Sequence, residues 1–244
     1  MSVDNKNIKK TKIPIDIVSI NCLTPDQSIK ALDYSTNSLL FNNSFLFTDK
    51  KIKSSDHKVI NIEKFNNLDD YSNFMLTLNE YISSDHVLII QDDGYIVNSG
   101  LWSDEFLKYD YIGAPWPTTY SWRRRWSDKK YQNAAKNIKK NRVGNGGFSL
   151  RSKKFLKYAS SFESCNGIAE DVFLCLVNYE KAIEKNIKFA PFDLALKFSY
   201  EVPLQGRKMQ KEGKDQFFDK TRHFGWHGKR FINSDELISL KDNV

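Results

Sequence analysis

Two apolar runs frame the first 93 residues and constrain the fold more than any other feature of the chain. IPIDIVSIN (13–21) reads as a buried strand, and HVLIIQDD (86–93) as a second strand that ends in two carboxylates. Between them, TPDQSIKALDYSTNSL reads as a turn and helix, with Thr24 as N-cap and Pro25 at the first helical position. SFLFTDK (44–50) and HKVINIE (57–63) follow as short strands, and LDDYSNFMLTLNEYIS carries helical spacing at Tyr71, Phe74, Leu78 and Ile82. The order strand, helix, strand, strand, helix, strand predicts an α/β domain of Rossmann-like type, with a mostly parallel central sheet under covering helices. Ligands of such sheets bind beyond the carboxyl ends of the strands, which is where Gln91, Asp92 and Asp93 fall.

The second half is less regular. YDYIGAPWP (109–117) is aromatic with two prolines and predicts an ordered loop or an edge strand. Residues 123–142 carry nine Lys or Arg against one acid, Asp128, with Trp122 just before and Trp126 and Tyr131 interleaved. RVGNGGFSLRS resumes extended structure, SKKFLKYASSF suits a short helix, and EDVFLCLVNYEKAIEKN a helix with Glu170 and Asp171 in its first turn. KFAPFDLALKFSYE reads as another extended segment. The boundaries implied are a polar tail over 1–12, one domain over 13–231 and a peripheral tail over 232–244.

At 244 residues the chain holds one α/β domain with a proper core and is too short for two ordinary domains plus a linker. A net charge of +7 suits nucleic acid, an anionic membrane surface or an anionic substrate equally. Cys22, Cys165 and Cys175 are odd in number and lack CxxC spacing, so they read as buried thiols of a reducing compartment. With no apolar leader in the first dozen residues and no apolar stretch near the roughly 18 residues of a membrane span, the expectation is a cytoplasmic protein, at most peripheral to a membrane.

Four elements carry chemistry. Paired acids after an apolar strand suit a hard divalent ion, which can bridge a diphosphate and neutralise a leaving group; a solvated strand-end turn is the alternative. Gly146 and Gly147 permit close backbone approach of a sugar, or simply a bulge. Glu170 and Asp171 either complement a helix dipole or supply a general base for a hydroxyl. His227 is a metal or phosphate ligand or a structural histidine, and Lys229 and Arg230 beside it would stabilise a departing diphosphate. No Ser–His–Asp or Cys–His constellation is legible, and no GxxxxGK[ST] is present.

Taken together, QDDG, GNGGFSLRS, EDV and FGWHGKR resemble the GT-A glycosyltransferases, and NC followed by TPDQSIKAL, LIIQDD, FLKYDYIGAPWP, VGNGGFSLRS, EDV, FSYE and FGWHG resemble one family in particular. The nearest likeness is a mostly bacterial family of uncharacterised glycosyltransferase-like proteins, and more distantly the inverting β1,3-glycosyltransferases of the Fringe type. The resemblance spans roughly residues 15–230. It implies a single GT-A-like domain that moves a sugar from a nucleotide-diphosphate sugar to a glycan or lipid-linked glycan, inverting, assisted by Mn²⁺ or Mg²⁺, in polysaccharide biosynthesis. By position, Asp93 matches the last acid of the DxD motif and His227 the late histidine, both as metal ligands. Asp92 matches the middle of the motif, and Gln91 replaces its first acid. Asp171 matches the base of EDV, with Glu170 its neighbour. Gln91, Asp92, Gly146, Gly147, Lys229, Arg230 and Trp116 would line the donor or acceptor. Two rivals stay open on the residues alone: a nucleotidyl- or phosphotransferase using the same carboxylates, and a nucleic-acid-binding module built on the basic segment.

Overall fold

A computed structural model describes residues 10–117, 128–201 and 221–228. The chain enters through β1 (Thr11–Lys12) and β2 (Asp16–Ile20), then runs through α1 (Pro25–Thr36), β3 (Leu39–Leu40), β4 (Asn43–Thr48), β5 (Lys58–Asn61), α2 (Leu68–Thr77) and β6 (His86–Ile90). There follow β7 (Gly94–Ile96), β8 (Tyr111–Gly113), α3 (Gln132–Asn137), β9 (Phe148–Ser152), α4 (Lys153–Ala159), α5 (Glu170–Val172), α6 (Tyr179–Glu184), α7 (Phe192–Phe198), β10 (Ser199–Tyr200) and β11 (Gly225–His227).

The main sheet has the order β5-β4-β2-β6-β9-β8. The first four strands are mutually parallel, β9 runs against them, and β8 runs against β9. Strands β2 and β6 lie at its centre and are apolar on both faces, as a sheet covered on both sides requires. Ile17, Leu88 and Ile90 face one core, while Val18, Val87 and Ile89 face the other, under Met75 and Leu78. The expectation of an α/β domain with a mostly parallel central sheet holds. The chain steps outward from β2 to β4 to β5 and then returns to β6 on the other side of β2. A crevice therefore opens where the strand order reverses, beyond Ile20 and Ile90. YDYIGAPWP forms the edge strand β8, as its prolines foretold.

Several local expectations are corrected. Pro25 does start α1, but Thr24 makes no side-chain cap bond; its hydroxyl donates to Asp92 Oδ2 instead, at 2.8 Å. The segment 189–198, expected to be extended, forms α7, with Pro191 at its N-cap and Ala195 and Phe198 buried one turn apart. The helix begun at Glu170 widens into a π turn over Phe173–Val177, where Asn178 N reaches back to Phe173 O at 3.0 Å, and α6 restarts after Asn178. Thr11 and Lys12, placed in a tail, pair with Leu39 and Leu40. Residues 232–244 lie outside the described residues.

Candidate active site

The turn after β6 is closed by backbone. Gln91 N donates to Gly147 O at 2.8 Å and Gly94 N to Gln91 O at 2.9 Å, so Asp92 and Asp93 sit at the tip of a fixed bend. Strand β7 leaves this bend antiparallel to β11, in a register that sets Gly94 opposite His227. That pairing brings residues 134 positions apart into contact. His227 Nε2 lies 3.2 Å from Asp93 Oδ1 and 3.0 Å from Gln91 Oε1, and Nδ1 lies 3.2 Å from Glu201 Oε2. The Gln91 amide is oriented by its other end, which donates to the Tyr71 hydroxyl at 3.3 Å.

Gly147 makes this cluster possible, since a Cβ there would stand 2.0 Å from His227 Nε2. Burial alone would lower the His227 pKa, but the charge of Glu201, with hydrogen bonds and charge from Asp93, raises it to about 10. His227 Nδ1 and Glu201 Oε2 approach without the alignment of a hydrogen bond. Among the described residues no three His, Cys, Asp or Glu side chains are grouped to hold a metal. The donors that do converge are one carboxylate, one imidazole and one amide oxygen. This mixed oxygen and nitrogen set offers a divalent ion a partial shell once the His227 ring loses the proton that its raised pKa holds, with Glu201 placed to orient the ring from behind.

The second acidic pair divides its work. Glu170 is buried and accepts two parallel bonds from the fully buried Arg151, at 3.0 and 2.8 Å. Asp171 is partly exposed. It accepts from Gly146 N at 3.1 Å and from Val172 N at 2.7 Å. Burial first, then the charge of Glu170 and to a lesser degree that of Glu201, raise its pKa to about 7, against opposition from the Val172 N–H and, least, from Arg151. At Gly146 a Cβ would lie 2.7 Å from Glu170 Oε1. The space both glycines leave is thus filled by the acids and His227, where the sequence reading had placed a sugar.

Beside these groups the crevice between β2 and β6 forms a cleft of about 350 Å³, lined by Asn21, Thr24, Asn67, Tyr71, Gln91 and Asp92 among others. Its floor loop is pinned by Asn21 Oδ1, which accepts from Leu23 N and Thr24 N at 2.8 and 2.9 Å. Trp116 is buried, its ring packed on Gly144. Lys229, Arg230 and the cationic run Arg123, Arg124 and Arg125 lie outside the described residues.

Sequence reasoning missed Glu201, Arg151, Asn21 and Tyr71. FSYE carried the only signal for Glu201, and a single acid has no spacing to read. It also missed a Ser–His–Asp relay, in which Ser44 Oγ and Asp33 Oδ1 each lie 2.8 Å from His57 ring nitrogens. That relay sits at the amino ends of the parallel strands, away from Asp93, and ties α1 and the loop before β5 to β4. All three cysteines are free and buried. Among the described residues no helix is long and apolar enough to cross a membrane.

The parallel sheet, its reversal beside an acidic turn, and the late strand returning a histidine to that turn define a GT-A glycosyltransferase fold. The chain superposes on a crystal structure of the galactosyltransferase LgtC in complex with donor and acceptor sugar analogues, over 94% of this chain and 96% of that one. The TM-score is 0.54 and the identity 12%. An active-site mutant of LgtC matches over the same shares at a TM-score of 0.50 and 13% identity. By sequence the chain belongs to the family described as "Protein of unknown function (DUF5672)", whose model matches residues 54–216. No curated protein matches it.

Proposed function

We propose that the protein is a glycosyltransferase that moves a sugar from a nucleotide-diphosphate sugar to a glycan or lipid-linked glycan, with inversion. The observation that carries this reading is the meeting of Asp93 and His227, 3.2 Å apart, at the carboxyl end of β6, next to the cleft at the strand-order reversal. The nucleoside fits the cleft, whose volume of about 350 Å³ lies within the usual range for small-molecule sites. Asp93 and His227, with Gln91, would hold Mn²⁺ or Mg²⁺ against the diphosphate. Such an ion, when bound, neutralises charge on the leaving group.

Asp171 is the base of this reading. It takes the proton of the acceptor hydroxyl as that oxygen bonds to the anomeric carbon and the bond to the diphosphate breaks. A pKa raised to about 7 suits that exchange. Glu170 is a positioning residue, because both its oxygens are bonded to Arg151. Trp116 is reassigned from ligand contact to packing. Lys229 and Arg230 would face the leaving diphosphate, and the basic segment would meet an anionic acceptor or membrane surface.

The test is product analysis with a panel of nucleotide sugars, acceptor glycans, and Mn²⁺ or Mg²⁺. Acceptor-dependent release of a nucleoside diphosphate is expected. Release of pyrophosphate would replace this reading with nucleotidyl transfer.

A further inference from the structure

A second cavity, of about 540 Å³, opens at the β8 edge of the sheet, between the end of the basic segment and the loop from α6 to α7. Lys139, Lys140, Arg142 and Lys188 line it, and no acidic residue does. Lys140 is paired with Glu180. The other three have no acceptor for their charged ends among the described residues beyond one bond, from Arg142 Nε to Trp116 O at 2.9 Å. The Arg142 guanidinium is fixed by that bond and by the Phe192 ring, whose centroid lies 4.4 Å away, so its two terminal nitrogens are held in place with no partner among the described residues. Arg142 is partly buried, and an unpaired cation is kept in such a position at a cost unless an anion joins it. The lining also holds apolar and aromatic residues, with Tyr179 and Phe189 in ring contact at 5.7 Å.

A cavity that combines a fixed guanidinium and two exposed lysines with aromatic rings selects a ligand that has both an anionic group and an apolar face. Charge alone would suit free phosphate, but phosphate leaves the rings and most of the volume unfilled. A sugar ring offers an apolar C–H face to stack on aromatics, and a phosphate on that sugar meets the guanidinium. We propose that this cavity is a binding site for a phosphate-bearing saccharide, distinct from the cleft beside Asp93. Arg142 lies only four residues before Gly146, about 14 Å at most of extended chain, so a bound oligosaccharide would extend toward Asp171.

The experiment titrates the full chain with glucose 6-phosphate, with inorganic phosphate and with glucose, by NMR shifts or calorimetry. The sugar phosphate should bind at least tenfold more tightly than either fragment. Arg142→Gln and Phe192→Leu should each weaken it several-fold. Lys139→Gln with Lys188→Gln should weaken it similarly without risk to the fold, because both residues are exposed. Asp93→Asn should leave it unchanged. Inorganic phosphate binding as tightly as the sugar phosphate, no binding to the wild-type chain, or loss of binding in Asp93→Asn rather than in the cavity variants would each overturn the assignment. So would capture of anionic phospholipid vesicles by the same cations with no response to the sugar phosphate.

Discussion

The two acidic pairs of this chain, Asp92–Asp93 and Glu170–Asp171, look alike in sequence and are held by opposite physics. The first pair sits at a strand end in a wet turn, one acid bonded to the Thr24 hydroxyl and the next against His227. The second starts a helix in a dry setting, where Glu170 and Arg151 are almost wholly removed from water. In each pair one acid anchors, and its neighbour is the one to which the proposed function gives a role; the anchors differ in what they hold. Thr24 ties two loops at the mouth of a cleft, whereas Arg151 carries a full buried charge that is ion-paired with Glu170. A surface anchor contributes little and a buried one cannot be removed singly.

The largest effect should come from the wet pair. Asp93→Ala is expected to leave no measurable transfer and to abolish the dependence of donor affinity on Mn²⁺, while circular dichroism and the unfolding midpoint stay near wild type. Equal donor affinity in EDTA and in Mn²⁺ for the wild-type protein would take the metal out of the comparison altogether.

Asp171→Asn should retain donor binding and lower kcat by about 10²–10⁴, the usual worth of a positioned base. The pH dependence follows from the raised pKa. Asp171 must be ionised to accept a proton, so kcat/KM should rise up to about pH 7 and then level, and the Asn variant should lack that limb. For stability the sign is the reverse. Above the ordinary carboxylate pKa the unfolded chain has lost a proton that the folded chain keeps until about pH 7. The contribution is therefore full in acid and falls as pH rises through that window. Burial and then the charge of Glu170 are the main causes of this value. An unchanged rate limb in Asp171→Asn would transfer the base role elsewhere.

Glu170→Gln tests the dry anchor. It leaves the Arg151 charge buried against a neutral amide, and the expected cost is about 3–5 kcal/mol in denaturant unfolding. Below the melting range kcat should fall less than in Asp171→Asn. Adding Arg151→Met to Glu170→Gln should recover much of the stability, because no lone charge then remains. A larger kinetic loss for Glu170→Gln than for Asp171→Asn would make Glu170 the base.

This division explains what the sequence disclosed and what it hid. The apolar runs ending at Ile20 and Ile90 fix the strands whose separation opens the cleft, and their periodicity is local, hence legible. Asp93 and His227 were found as candidates because each sits in a recognisable motif. Their contact depends on the β7–β11 register, which no local pattern encodes. Arg151 alternates along β9 as an inward residue, where a cation is a poor guess until its partner Glu170, 19 residues later, is placed beside it. The helix at 192–198 was misread because its aromatic and aliphatic residues suit a strand as well as a helix, and packing of Ala195 and Phe198 decides between them.

The smallest effect should separate the two neighbours in the wet turn. Asp92 is placed by the Thr24 hydroxyl and offers its backbone oxygen to the Tyr95 hydroxyl at 3.1 Å. Asp92→Asn keeps an oxygen for Thr24 and leaves the backbone bond untouched, so the loss is one charge in a solvated turn, worth about 1 kcal/mol or less. Turnover should fall by less than tenfold, and the Mn²⁺ concentration giving half-maximal rate should move by about twofold at most. Thr24→Val, which removes the hydroxyl from the other side, should produce a change of the same size, and the double variant should add little because both remove one interaction. If Asp92→Asn instead raises the Mn²⁺ requirement as steeply as Asp93→Asn does, the two acids share the ion, and the split between an anchoring and a reacting carboxylate holds only for the buried pair.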